Sequence, residues 1–126
     1  KKLIIIGYNE GWKQNLKLGT DTNRKFYQIP YKKLLKKIKY AFKENAIIEE
    51  INEAYTSKCD ALGLETIERH DEYLGNRIKR GLFSSSVNKL INADLNGAIN
   101  IMRKYMDGNY INIKGLHLCN PERINL

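Results

Sequence analysis

The sequence has no long apolar run: the longest purely aliphatic stretch of any note is Leu3-Ile-Ile-Ile6. Four residues fall far short of the ~20 needed to span a bilayer, and also of a secretory h-region, which argues against membrane insertion and secretion. Cysteine is scarce. Cys59 and Cys119 are the only two, too few and too far apart for a disulfide scaffold, so a reducing compartment is the simpler expectation. An initiator Met is missing as well, and the chain opens on Lys1-Lys2 and a strand-like run, as a fragment would. At 126 residues it holds enough chain for one domain with a modest core, and too little for an enzyme with a separate substrate domain.

Acidic residues are also in the minority, 14 against 22 Lys and Arg, for a net charge of +8. The charges are segregated. Residues 1–43 carry twelve basic and two acidic residues, residues 44–76 two basic and nine acidic, and residues 77–126 eight basic and three acidic. Such blocks make separate surfaces, and a polyanion suits the basic ones. A lysine face that is merely solvated is the competing reading of the first block.

Lys2-Leu-Ile-Ile-Ile-Gly7 reads as a strand buried on both faces and closed by glycine. Residues 8–30, rich in Gly, Asn, Thr and Lys around Trp12, Phe26 and Tyr27, read as a long loop. Pro30 is expected to open a helix whose apolar stripe is Leu34, Leu35, Ile38, Ala41 and Phe42, with Lys32, Lys36, Lys39 and Lys43 opposite. Residues 45–54 fit a second strand parallel to the first, although Ile48 and Ile51 would also continue the helical stripe, and Glu49-Glu50 is unusual in a buried strand. Residues 57–92 read as a polar insert. Ala93–Tyr105 reads as a helix with a core stripe of Leu95, Ala98, Ile99, Met102 and Tyr105, and with Gly97-Ala98 permitting close backbone approach. The tail from Asp107 shows no clear element.

Asp94 falls in the first turn of that helix. A carboxylate there caps the helix and favours its dipole, for roughly 0.5–2 kcal/mol. Alternatively it is a metal ligand, which calls for a second carboxylate. Glu53 is the natural partner, because ligand sites of open α/β sheets lie beyond the carboxyl ends of the strands. Two carboxylates and water suit Mg²⁺ or Mn²⁺, and a pair of such ions about 3.5–4 Å apart supports in-line phosphodiester hydrolysis.

The stretches IIIGYNEGWKQNLKLG, NEAYTSKC, GNRIKRGLF and LINADLNGAINIMRK, in that order, resemble successive motifs in the C-terminal half of the TnpB proteins of insertion sequences. The resemblance covers roughly residues 2–105. It implies an α/β, RNase H-like (RuvC-type) nuclease fold that is partial here, lacking its first strands, over residues 1–108, with a tail at 109–126. It also implies a divalent-metal-dependent, RNA-guided DNA endonuclease encoded by a transposon, with DNA and guide RNA as partners in the prokaryotic cytoplasm and nucleoid. Asp94 in NADLNG matches the last catalytic aspartate of that family.

Three departures qualify this. Most members end the strand matching residues 2–7 on a catalytic glutamate, where this chain has Gly7-Tyr8. Glu53 on the neighbouring strand end, about 4.8 Å away, is the physical substitute, with Glu10 and Glu50 as alternatives. The first catalytic aspartate would lie upstream of Lys1, so the chain alone is expected to be inactive. Many relatives also carry two Cys-x-x-Cys pairs where residues 57–92 lie, and here only Cys59 remains. Cys59, His70, His117 and Cys119 match no common zinc spacing, so zinc is not expected. Lys58, Arg77, Lys79 and Arg80 are candidates to hold phosphates, and Tyr55 to stack on a base, whereas Phe83 fits the core better. Thr56 and Ser57 suit a turn after the strand. A catalytically dead remnant that binds nucleic acid through its lysines is the alternative function.

Overall fold

A computed structural model describes residues 2–9 and 21–106, with the side chains of 21–30 outside the description. Glu10, Trp12, His117, Cys119 and the tail therefore lie outside the described residues. The chain divides into two units, Lys1–Asn52 and Glu53–Leu126.

The first unit is a β-α-β crossover. Strands β1 (Lys2–Tyr8) and β2 (Ala46–Asn52) pair in parallel, from Lys2 opposite Ala46 to Tyr8 opposite Asn52. Isoleucine-rich segments on either side of a helix give this pairing, since a parallel neighbour needs a crossover of about a dozen residues or more. The strand reading of residues 45–54 holds. The reading of β1 as buried on both faces does not: Leu3 is 49% exposed, and Ile4–Tyr8 are half-buried. A single crossover helix can cover only one face of a two-stranded sheet, so apolar content alone cannot bury the strand on both.

Helix α1 (Asp21–Phe42) begins earlier than the expected start at Pro30, which lies in its interior. Residues 21–29 contain neither Gly nor Pro, and the φ of proline is itself helical, so the helix loses one N–H donor there without breaking. Tyr31 reaches back to the strand, its hydroxyl donating to the Gly7 carbonyl at 3.4 Å. Lys39 pairs with Glu50 of β2 at 2.9 Å, which accounts for one of the two glutamates in that strand.

The second unit corrects the reading of residues 57–92 as an irregular insert. Strands β3 (Asn76–Lys79), β4 (Leu82–Ser84) and β5 (Leu90–Asn92) form an antiparallel sheet in that order, and helix α2 (Ala93–Tyr105) continues directly from β5. Strands of three and four residues are too short to show a period of two, and all four residues of β3 are exposed, so the pattern is invisible in the sequence. Gly81 turns the β3–β4 hairpin at φ +82°, a conformation that glycine adopts freely. Phe83, Ile91, Ala61, Ala93 and Ile99 make the core, with Leu62 and Leu95 packed against it. Phe83 is thus a core residue, as its alternative reading had it.

The buried face of α2 is Ala93, Asn96, Ile99 and Asn100. Of the expected stripe, Ile99 is buried and Leu95 partly so, while Ala98, Met102 and Tyr105 are exposed. Two asparagines take the inward positions because backbone groups of residues 56–61 supply all of their partners but one. A Cβ at Gly97 would meet nothing within 4 Å, so the expected close approach there is not found among the described residues.

Candidate functional site

The first turn of α2 is capped by Asn92, whose Oδ1 accepts from the Asp94 N–H at 2.9 Å and the Leu95 N–H at 3.0 Å. The capping role that competed for Asp94 is therefore filled. The Asp94 carboxylate is exposed and accepts no hydrogen bond among the described residues. It stands where the helix dipole favours a negative charge.

Glu53 follows directly on the last residue of β2 and opens a tight turn. Its carbonyl accepts from the Thr56 N–H at 3.1 Å and from the Thr56 hydroxyl at 2.7 Å. Tyr55 sits in that turn at φ +68°, unusual for a bulky residue, and the residue is 41% exposed. Thr56 shapes the turn, as the sequence suggested. The Glu53 carboxyl is half-buried, and burial pushes its pKa above the ordinary glutamate value. No donor or cation among the described residues offsets that. A half-buried carboxylate without a partner is suited to receiving a cation.

The turn is fastened to α2 in an orderly way. Lys104 Nζ donates to the Ala54 carbonyl at 3.4 Å, Asn100 Nδ2 to Thr56 at 2.9 Å and to Cys59 at 2.7 Å, and Asn96 Nδ2 to Cys59 at 2.9 Å. The Ala61 N–H returns a bond to Asn96 Oδ1 at 3.0 Å. Residues 54–61 thus run along α2 from its last turns towards its first. At 1.5 Å per residue, Asn100, which holds Thr56, is about 9 Å along the axis from Asp94, and Lys104, which holds Ala54, about 15 Å. Among the described residues no three His, Cys, Asp or Glu gather to hold a metal ion. The oxygen donors of Glu53 and Asp94 fit a hard divalent cation in kind, and a complete site needs more ligands than these two.

The basic candidates fall in two places. Arg77, Lys79 and Arg80 are exposed on or beside the edge strand β3. Lys79 pairs with Leu82, and Leu82 with Asn92, so β3 lies two strand spacings, roughly 10 Å, from the residue capping the Asp94 helix. Lys58 belongs instead to the Glu53 segment, exposed, with its ammonium 6.0 Å from the Tyr73 ring centroid.

Several polar residues that matter here were missed in the sequence. Asp60 is fully buried, and its carboxylate accepts from the Ser85 hydroxyl at 2.8 Å, the Ser86 hydroxyl and N–H at 2.7 Å each, and the Gly63 N–H at 3.1 Å. Burial works to raise its pKa, but the bonds from Ser86, Ser85 and Gly63 outweigh it and hold the group below the usual aspartate value. Glu65 accepts from the N–H groups of Asp60 at 2.7 Å and Leu74 at 3.0 Å. Cys59 is buried, its thiol directed at the carbonyls of Thr66, 3.5 Å away, and Glu68, 3.7 Å away. The run Ser84-Ser-Ser86 was the one available signal: three hydroxyls in a row suit a buried acceptor.

A family described as Cas12f1-like, TNB domain matches residues 31–101, a span of more than half the chain. The chain belongs to this family. The TNB match runs from Tyr31 of α1 into the third turn of α2, and so takes in Glu53, Tyr55, Lys58, the β3 cluster and Asp94. It makes the protein a member of a TnpB- and Cas12-related group, which agrees with the resemblance of its motifs. No curated protein and no solved structure matches the chain.

Proposed function

We propose that this TNB-family chain is the C-terminal portion of a transposon-encoded, RNA-guided DNA endonuclease. On this reading residues 1–108 are part of an RNase H-like, RuvC-type nuclease domain, and residues 109–126 are its tail. The observation that carries the reading is Asp94: it lies within the span matched to the family, its carboxylate accepts no hydrogen bond among the described residues, and Asn92 fills the capping position.

Glu53 and Asp94 would hold Mg²⁺ or Mn²⁺ together with a carboxylate supplied from outside this chain. When bound, the metal activates the attacking water and stabilises the leaving oxygen of the phosphodiester. This chain's own residues do the rest. Glu53 offers a half-buried, poorly solvated carboxylate, which favours uptake of a cation. Arg77, Lys79 and Arg80 would neutralise phosphates, and the exposed ring of Tyr55 would stack on an unpaired base. DNA and guide RNA are the partners, in the prokaryotic cytoplasm and nucleoid. Among the described residues no helix is long and apolar enough to cross a membrane.

A second reading, a remnant that binds nucleic acid but does not cut it, has one observation in its favour: no three-ligand metal cluster exists among the described residues. Asp94→Asn in the complete, guide-loaded protein separates the two. Loss of DNA cleavage with nucleic-acid binding retained supports the nuclease. Undiminished cleavage removes Asp94 from the site, and a complete protein that never cleaves in Mg²⁺ or Mn²⁺ is the remnant.

A further inference from the structure

We infer that Asn100, acting through Thr56, is a positioning residue that sets the Glu53 carboxylate relative to Asp94. The inference rests on the nuclease reading above. It goes beyond that reading by assigning a task to the buried asparagine face of α2.

The Glu53 carboxylate has no side-chain partner among the described residues, so its position depends on its backbone. Thr56 holds that backbone at one point, through the two hydrogen bonds from its N–H and hydroxyl to the Glu53 carbonyl. Tyr55 between them occupies a left-handed conformation that costs on the order of 1–2 kcal/mol for a bulky residue. A strained turn persists only when something outside it fixes its geometry. Asn100 does so, with Nδ2 shared between the Thr56 and Cys59 carbonyls.

Asn100 is in turn oriented from behind. Its Oδ1 accepts from Arg103 Nη1 at 2.7 Å, and Arg103 Nη2 is held by the Glu65 carbonyl at 2.9 Å. Asn100, Asn96 and Cys59 are fully buried, and Thr56 nearly so. A leucine pair could fill the same volume, but it could not fix the position of the turn along the helix, as directional bonds to named carbonyls do. Helix α2 thus bears Asp94 on its first turn and holds the backbone that follows Glu53, through Asn100 on Thr56 and Lys104 on Ala54.

The test uses the complete guide-loaded protein with three variants, Asn100→Ala, Thr56→Val and Glu53→Gln. Each is assayed for DNA cleavage per bound complex, for Mn²⁺ affinity by titration calorimetry, and for cooperative melting. A partner bonded directly to a metal ligand is worth 10–100-fold in affinity or rate, and Asn100 acts at one remove, so Asn100→Ala should lose about 10-fold of both while still melting cooperatively and binding nucleic acid. Thr56→Val, which removes only a hydroxyl at constant volume, should move both quantities the same way by a smaller factor. If Asn100→Ala fails to fold, Thr56→Val decides. Wild-type cleavage and Mn²⁺ affinity in the folded variants would overturn the inference, because a purely structural role lowers melting alone. Normal cleavage by Glu53→Gln would instead remove the nuclease reading of Glu53 on which the inference stands.

Discussion

The Ser86 hydroxyl donates to the Asp60 carboxylate at 2.7 Å, joining the end of β4 to a loop twenty-six positions earlier in the chain. With Ser85 and Gly63 it makes a buried anion satisfied entirely by neutral donors. Asp60→Asn removes the charge and turns an amide donor towards groups that themselves donate, one of them the immovable Ser86 N–H. The expected cost is about 3 kcal/mol of stability at neutral pH. The pH dependence follows from the lowered native pKa. Asp60 contributes stability above the unfolded value of about 3.9, and that contribution is lost as the pH falls through the folded value. Thermal melts from pH 2 to 7 should therefore show a wild-type acid limb that Asp60→Asn lacks in part. Identical acid limbs would mean that the charge contributes nothing.

Two glycines of the same unit should respond to alanine with opposite signs. At Gly97, inside α2, an added Cβ meets nothing within 4 Å, so Gly97→Ala should gain about 0.5–1 kcal/mol from helix propensity. At Gly63 a Cβ would stand 2.6 Å from Ser86 Oγ and 2.7 Å from Asp60 Oδ2, within the hydrogen-bonded cluster. Gly63→Ala should lower stability, since the polar atoms that must shift are the ones Asp60 depends on. Urea midpoints measured side by side decide the matter, and a destabilised Gly97→Ala would show that the helix face is covered.

The parallel pair and the crossover helix were legible because isoleucine runs and a 3–4 lysine and leucine period extend over many residues. The helix at 93–105 was legible for the same reason, but its inward face was not. Hydropathy turns Met102 and Ala98 inward, whereas the chain buries Asn96 and Asn100, whose partners are carbonyls about forty residues away. Hydrogen bonds of that range leave no periodic trace. Asp94 stands out by its motif and its place at a helix start; Asn92 takes the cap, and the dipole role stays with Asp94 beside the ligand role proposed for it. Glu53 is proposed from its position at a strand end, and the strain at Tyr55 beside it has no signal in the residue type.

Glu53 itself gives a test that needs no substrate. Its pKa is raised by burial, so the native state binds a proton more readily than the unfolded chain does. Between the unfolded value, about 4.3, and the higher folded one, stability falls as the pH rises, the opposite of the Asp60 contribution. At pH 7 the ionised carboxylate is a burden on the fold. Glu53→Gln removes the charge and should melt at a higher temperature, by an amount under about 1 kcal/mol because solvent screens the exposed half of the group. The gain should shrink as the pH drops below the folded pKa, where wild type carries the proton already. Added Mn²⁺ should raise the wild-type melting temperature and leave Glu53→Gln unmoved. If Gln at 53 lowers the melting temperature at pH 7, the carboxylate serves the fold, and its assignment as a metal ligand fails with that result.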